Sequence, residues 1–224
     1  MKIKYYLING VDRTRDNFMK NEFTKVKIPQ DEVMWITSYN KTELTKEFIE
    51  KNSTIPPPAY KKINLGQLSC TYKHYLALKH IVENNIDIGV IMEDNIQFRG
   101  ELTNNFPKKL KEYLDLLPND WDLLFESDTL NYKNIGEDPV ISNKKIYKKK
   151  NEITKYCHGA TNAANCYIIP LKTAKLFYKE YLPIPVIVDH YMNYLIRKHK
   201  LNVYWAYPPV VHRLRRRSTL QYDD

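Results

Sequence analysis

Apolar residues recur along this chain in two rhythms, short strand-like runs and longer stretches at helical spacing, separated by polar or Pro-rich breaks. Ile3 to Ile8 reads as a first strand, and Thr14 to Glu22, introduced by Asp12, as a first helix. Glu32 to Thr37 (EVMWIT) reads as a second strand, and Thr42 to Lys51 as a helix that the run Ile55-Pro56-Pro57-Pro58-Ala59 ends. Three consecutive prolines supply no ladder donors, so the stretch up to about Gly66 reads as a loop. From Gly66 to Asn85, Tyr75, Leu78, Ile81 and Val82 fall at helical spacing and an Asn-Asn pair closes the helix. The apolar run Ile86 to Met92 follows as a buried strand and stops at Glu93, Asp94 and Asn95, after which Ile96 to Phe98 continue extended to Gly100.

The second half repeats the alternation. Pro107 to Leu117 sets Leu110, Tyr113, Leu114 and Leu117 on one helix face, and Pro118-Asn119-Asp120 closes it. Trp121 to Phe125 reads as a strand ending at Glu126-Ser127-Asp128, and residues 131 to 151 as a polar surface excursion. A strand at Asn165 to Ile169, helices at Leu171 to Tyr181 and Val188 to Lys198, and a last strand at Leu201 to Tyr207 complete the pattern. Alternating strands and helices predict an α/β fold with a mainly parallel sheet. No repeat or long linker divides the chain, so residues 1 to 224 read as one domain with a basic C-terminal segment from about 208 to 224.

Composition narrows the picture. At 224 residues such a chain buries roughly 70% of its unfolded surface, and an apolar fraction of 43% with 18 Tyr and 3 Trp suits a globular core. No apolar run approaches the ~20 residues that span a bilayer, and Met1 to Asn9 moves straight into strand-like sequence without a signal-peptide core, which predicts a cytoplasmic protein. Cys70, Cys157 and Cys166 cannot all pair within one chain and form no Cys-x-x-Cys, so they read as reduced thiols, with a single Cys157 to Cys166 disulfide left open. The net charge of +9 gathers in two clusters, Lys144 to Lys150 (KKIYKKK) and His212 to Arg217 (HRLRRR). The first reads as a solvated loop or hairpin face. The second offers arginines that would clamp a pyrophosphate or pair with an acidic acceptor, or else a basic tail. Neither accompanies a recognition module, so no specific nucleic-acid partner is expected.

A strand that stops at adjacent acidic and amide oxygens places hard ligands at a sheet edge, where α/β enzymes hold a divalent cation and a phosphorylated substrate. On a straight strand Glu93 and Asp94 would point to opposite faces, so a turn is needed for both to face one ligand. Around this edge, five pieces of the chain follow one order. They are Tyr6-Leu7-Ile8-Asn9 with Asp12, Arg13 and Arg15; Cys70, Lys73 and His74 followed by Glu93-Asp94-Asn95 and Phe98; Trp121-Asp122-Leu123-Leu124; Ala160 to Leu176; and Val188-Asp189-His190-Tyr191-Met192. Taken together they resemble glycosyltransferase family 25, with Lys73 standing where the family has Ser and Asn95 where it has a second Asp.

The resemblance implies a GT-A-like, Rossmann-like domain that binds a UDP-sugar, galactose favoured and glucose next, with Mn²⁺ or Mg²⁺, and transfers the hexose with inversion. Asp94 and Asn95 then take the metal side, with His212 as a third ligand, and Glu93 a donor-facing or supporting role. Asn9 and Arg13, just past the first strand, fall where such a sheet meets the nucleotide. Inversion needs a base for the acceptor hydroxyl. Asp189 is the residue named for it, with an N-cap as its structural alternative and Asp122, Glu126 and Asp128 in reserve. His74 shares a helix face with Cys70 and reads as a hydrogen-bonded core histidine, or one that supports the ligand residues from behind, and not as a catalytic one. The acceptor would be a glycan, a lipid-linked sugar or a hydroxylysine-containing protein. The two departures keep a second reading open, a catalytically silent member that binds a sugar nucleotide or glycan.

Overall fold

A computed structural model describes residues 1–10, 12–54, 64–99, 104–127, 138–139, 146–148, 153–154, 157–158, 163–206 and 209–214. The chain opens with β1 (Ile3–Ile8), α1 (Arg13–Lys25), β2 (Val33–Ile36) and α2 (Lys46–Asn52), then α3 (Leu65–Glu83), β3 (Ile88–Glu93), β4 (Ile96–Phe98), α4 (Phe106–Leu116) and β5 (Leu123–Phe125). Four short strands follow, β6 (Asp138–Pro139), β7 (Ile146–Lys148), β8 (Ile153–Thr154) and β9 (Cys157–His158). The last elements are β10 (Cys166–Pro170), α5 (Leu171–Glu180), α6 (Val188–Lys198), β11 (Val203–Ala206) and β12 (Val211–Arg213).

Among the described residues the main sheet has eight strands in the order β2-β1-β3-β10-β5-β11-β7-β6. Only β10 and β7 run against the rest, so strand direction is mainly parallel although these two create antiparallel pairings on both their sides. A second, two-stranded sheet joins β4 to β12, with His212 opposite Gln97. β12 lies beyond the expected last strand, within the segment read as a basic tail. Part of the first basic cluster is strand as well, since β7 pairs with β11.

Strand alternation divides the core into two layers. Tyr6, Ile8, Ile91, Phe125 and Tyr167 face α3, α5 and α6. Tyr5, Leu7, Val90, Met92 and Leu124 face α1 and α4. Both faces are covered, as a sheet this rich in parallel strands requires. Helix α3 comes unusually close to β3 at Gly89, where an added Cβ would sit 2.3 Å from Ile81 Cδ1. Its start is fixed by a reciprocal cap: Gln67 N donates to Asn64 Oδ1 at 2.8 Å and Asn64 N to Gln67 Oε1 at 3.1 Å. Among the described residues no helix is long and apolar enough to cross a membrane. Cys70 and Cys166 are free thiols, so the Cys157 to Cys166 disulfide left open by the sequence does not form.

Candidate active site

The C-terminal ends of β1 and β3 lie side by side, Ile8 opposite Glu93, and both strands turn away there. A cleft of about 300 Å³ opens at this edge, lined by Asn9, Gly10 and Arg15, by Ser69, Cys70 and Lys73 on α3, by Glu93, Asp94 and Asn95, and by Arg213 on β12. Helices α1 and α3 both begin at the cleft, so their N-terminal partial positive charge favours an anion there.

Asp94 does not extend freely into this space. Its Oδ1 accepts from Arg15 Nη1 at 2.7 Å and its Oδ2 from the Gly10 N–H at 3.0 Å. Burial pushes the carboxyl up, against the Gly10 N–H and Arg15, which hold it down. The outcome is a buried ion pair that ties the β3 turn to the start of α1. Arg15 shares the inner face of α1 with Met19, Glu22 and Phe23, whereas Arg13, the residue expected at the donor, is exposed and lies outside the cleft wall. Helical phase decides between the two arginines, and it was available in the sequence through the spacing of Arg15, Met19 and Phe23.

Lys73 forms the floor. Its Nζ donates to the Asn9 carbonyl and, at 2.7 Å, to Asn40 Oδ1. Asn40 is itself clamped, donating Nδ2 to Glu43 Oε1 and to the Thr37 carbonyl, each at 2.7 Å. Burial pushes the Lys73 ammonium down, opposed by the neighbouring Cys70 side chain and by the carboxylates of Asp94 and Glu43. Two of its three protons have acceptors among the described residues, which leaves one for a ligand. Beside it, Asn9 gives Nδ2 to Asp16 at 2.7 Å while its buried Oδ1 has no partner among the described residues. An unmatched buried acceptor at a cleft wall invites an N–H or O–H donor.

Glu93 points the other way from Asp94, toward α3. Its Oε2 accepts from Asn165 Nδ2 at 2.8 Å and from Asn95 Nδ2 at 3.2 Å. Its Oε1 lies 3.7 Å from His74 Nε2 and 4.0 Å from Cys70 Sγ. His74 is fully buried, with Nδ1 3.0 Å from the Tyr167 hydroxyl, as its core reading expected. Burial and the charges of Glu93 and Asp94 push the Cys70 thiol up.

The ligand set assigned to Mn²⁺ or Mg²⁺ does not converge. Asp94 and Asn95 both line the cleft; each Asp94 oxygen accepts one hydrogen bond and keeps a second lone pair, and the Asn95 amide is engaged at both ends, with Glu93 and, through Oδ1, with Asn165 at 2.9 Å. His212 lies outside the cleft wall while its neighbour Arg213 lines it, as strand alternation dictates. His212 therefore does not join Asp94 and Asn95 in one set of three ligands.

Asp189 is the second residue of α6 and not its N-cap, which is Ile187. Its Oδ1 accepts from the His190 N–H at 3.0 Å. The carboxyl is pushed up by burial and, secondarily, by Glu93, with His190 opposing. It lies outside the cleft wall but within electrostatic reach of Glu93 and Cys70. Of the reserves, Asp122 is held at the opposite end of β5 by the Asn202 N–H at 2.8 Å and Lys172 at 2.9 Å, remote from the cleft edge. Glu126 stands at the correct end of β5, fully buried on the face of α1 and α4 with neither oxygen partnered among the described residues. Asp128 lies outside the described residues. Sequence reading also passed over Asn40 and Asn165, whose roles depend on contacts across more than thirty residues.

The family described as "Glycosyltransferase family 25 (LPS biosynthesis protein)" is matched over residues 2–192. Among characterised proteins, procollagen galactosyltransferase 1-B of Xenopus laevis is 24% identical over 154 residues, 66% of this chain and 24% of the relative. The chain therefore spans about a quarter of that relative's length. Among solved structures, mannose-1-phosphate geranyltransferase from Thermus thermophilus overlays with a TM-score of 0.51 at 7% identity, covering 92% of this chain and 74% of that one. The galactosyltransferase LgtC, solved with donor and acceptor sugar analogs, overlays more loosely, at a TM-score of 0.45 and 11% identity over 97% of this chain and 88% of that one.

Proposed function

The chain belongs to glycosyltransferase family 25, and from that premise we propose that its cleft binds a UDP-sugar and that it transfers the hexose to an acceptor hydroxyl with inversion. The observation that carries this reading is the buried, unpartnered Asn9 Oδ1 beside the Lys73 ammonium. It provides an acceptor for a nucleoside N–H or hydroxyl next to a cation for the diphosphate. Arg213 and the starts of α1 and α3 add positive potential on the same walls.

In the proposed step the acceptor oxygen attacks the anomeric carbon as its bond to the diphosphate breaks. Asp189 takes the acceptor proton, and its raised pKa makes it the stronger base. Charge that builds on the departing diphosphate falls to Lys73, fixed before the reaction begins, and to Arg213 on the cleft wall. No step is routed through Mn²⁺ or Mg²⁺, since their assigned ligands do not converge. Galactose stands ahead of glucose because the similar Xenopus laevis protein is a procollagen galactosyltransferase. That likeness also puts a hydroxylysine-containing protein beside glycans and lipid-linked sugars among the acceptors to try.

A panel of nucleotide sugars, each with Mn²⁺ and with chelator, read by thermal shift and by UDP release, tests the proposal. A ligand at a hundred times its dissociation constant stabilises by about 2.7 kcal/mol, which is readily seen. Binding and hydrolysis or transfer of a UDP-hexose support the reading. Binding without turnover for every acceptor class would favour the silent member, and no shift with any UDP-sugar would overturn the donor assignment.

A further inference from the structure

Helix α3 and the end of β3 bring together three side chains that the proposed reaction does not use as a set. Cys70 and His74 are one turn apart on α3, and Glu93 closes the triangle from the strand, with one ligand atom from each within 4.8 Å of the others. His74 Nε2 is buried, has no hydrogen-bond partner among the described residues, and faces Glu93 Oε1 at 3.7 Å. We infer that Cys70 Sγ, His74 Nε2 and Glu93 Oε1 bind a zinc ion whose fourth position opens to the cleft.

Distances support that geometry. A tetrahedral zinc ion about 2.3 Å from sulfur and about 2.0 to 2.1 Å from nitrogen and oxygen holds its ligand atoms roughly 3.3 to 3.6 Å apart. The Nε2 to Oε1 and Sγ to Oε1 separations are 3.7 and 4.0 Å, edges that a contraction of a few tenths of an ångström closes, and Sγ and Nε2 lie within 4.8 Å of each other, an edge that side-chain rotation of Cys70 must shorten by at most about 1.3 Å. The surrounding bonds already aim the ligands. The Tyr167 hydroxyl, 3.0 Å from Nδ1, can accept the ring proton there and turn the Nε2 lone pair toward the cluster. Asn165 and Asn95 both hold Glu93 Oε2, which leaves Oε1 directed at Cys70 and His74.

The chemistry selects the ion. One thiolate, one neutral imidazole and one carboxylate suit borderline-soft Zn²⁺ and suit Mn²⁺ or Mg²⁺ poorly. On binding, the ion replaces the thiol proton of Cys70, and two negative ligands balance its charge. Cys70 and Glu93 both line the cleft, so the open coordination position can take water, a hydroxyl or a phosphate oxygen. The site stands apart from the donor reading, because metal binding is measured without any sugar nucleotide.

The test is titration of the whole chain with Zn²⁺ against a chromophoric chelator, and with Co²⁺ read by absorption. One equivalent of Zn²⁺ and a near-ultraviolet thiolate-to-Co²⁺ band are expected. Cys70→Ser should abolish the band and weaken Zn²⁺ binding at least tenfold, and His74→Gln should weaken it similarly. Cys157→Ser should leave both unchanged. Wild-type protein that binds no stoichiometric Zn²⁺, or Co²⁺ without a thiolate band, overturns the inference whatever the variants do. So does a band that survives Cys70→Ser.

Discussion

Lys73 is buried to 3% exposure, and its two protein acceptors hold it in place at the cleft floor. Hydrogen bonds to a charged group contribute about 1.5 to 3 kcal/mol, so Lys73→Met should weaken UDP binding roughly tenfold to hundredfold, measured by calorimetry. It should also lower thermal stability, since Asn40 Oδ1 then lacks its donor. UDP affinity equal to wild type would remove Lys73 from the diphosphate site. Asp189 gives a different signature. Asp189→Asn should leave UDP binding nearly intact and lower transfer by about 10² to 10⁴-fold. Because Ile187 occupies the cap position, the helix loses only the interaction of a first-turn charge with the dipole, about 0.3 to 1 kcal/mol. Transfer at the wild-type rate would end its assignment as base.

At the level of elements, Gly89 marks the closest approach of α3 to β3, and with it the position of Cys70, Lys73 and His74 over the sheet edge. A methyl group there would meet Ile81 Cδ1 at 2.3 Å and Ile169 Cγ2 at 3.4 Å, inside a packed core. Gly89→Ala should therefore destabilise by about 1 to 3 kcal/mol, seen as a lower denaturant midpoint with an unchanged slope. An unchanged midpoint would show that Ile81 finds another rotamer at no cost. The same elements show what could be read beforehand. The sequence located each of α1 to α6, and α6 runs over the residues expected; α3 and α4 were legible from apolar periodicity because each buries a continuous face, whereas α2 buries only Asn52. β3 and its acidic end were legible for the same reason. The reversal of β10 was not, since strand direction depends on how a strand is reached and leaves no mark in its own composition. β12 was hidden by its brevity and its basic residues, and it carries Arg213, not His212, to the cleft. Asp94 and Asn95 stood out in the sequence as the end of β3, but their hydrogen-bond partners, Arg15 and Asn165, lie 79 and 70 residues away in sequence.

For the whole molecule, pH dependence of stability follows from a carboxyl that folding isolates. Glu126 is fully buried without a partner among the described residues, and desolvation pushes its pKa from 4.5 up to about 8. Between those values the folded chain keeps a proton that the unfolded chain has lost, so unfolding free energy falls as pH rises. The contribution is complete below about pH 4.5 and is lost as pH climbs through about 8, on the order of 5 kcal/mol across the window. Raised carboxyls at Asp94 and Asp189 act with the same sign. His80, whose pKa burial lowers, opposes them at the acidic end, where its folded form sheds a proton the unfolded form retains. Comparison with Glu126→Gln separates these effects, because Gln matches the protonated acid in shape and does not titrate. The variant should match wild type near pH 4.5 and become progressively more stable relative to it toward pH 8, in denaturant unfolding at fixed ionic strength. Parallel curves for the two proteins over that range would mean that Glu126 is already charged in the folded state, and that a cation beyond its described neighbours offsets the desolvation that burial imposes.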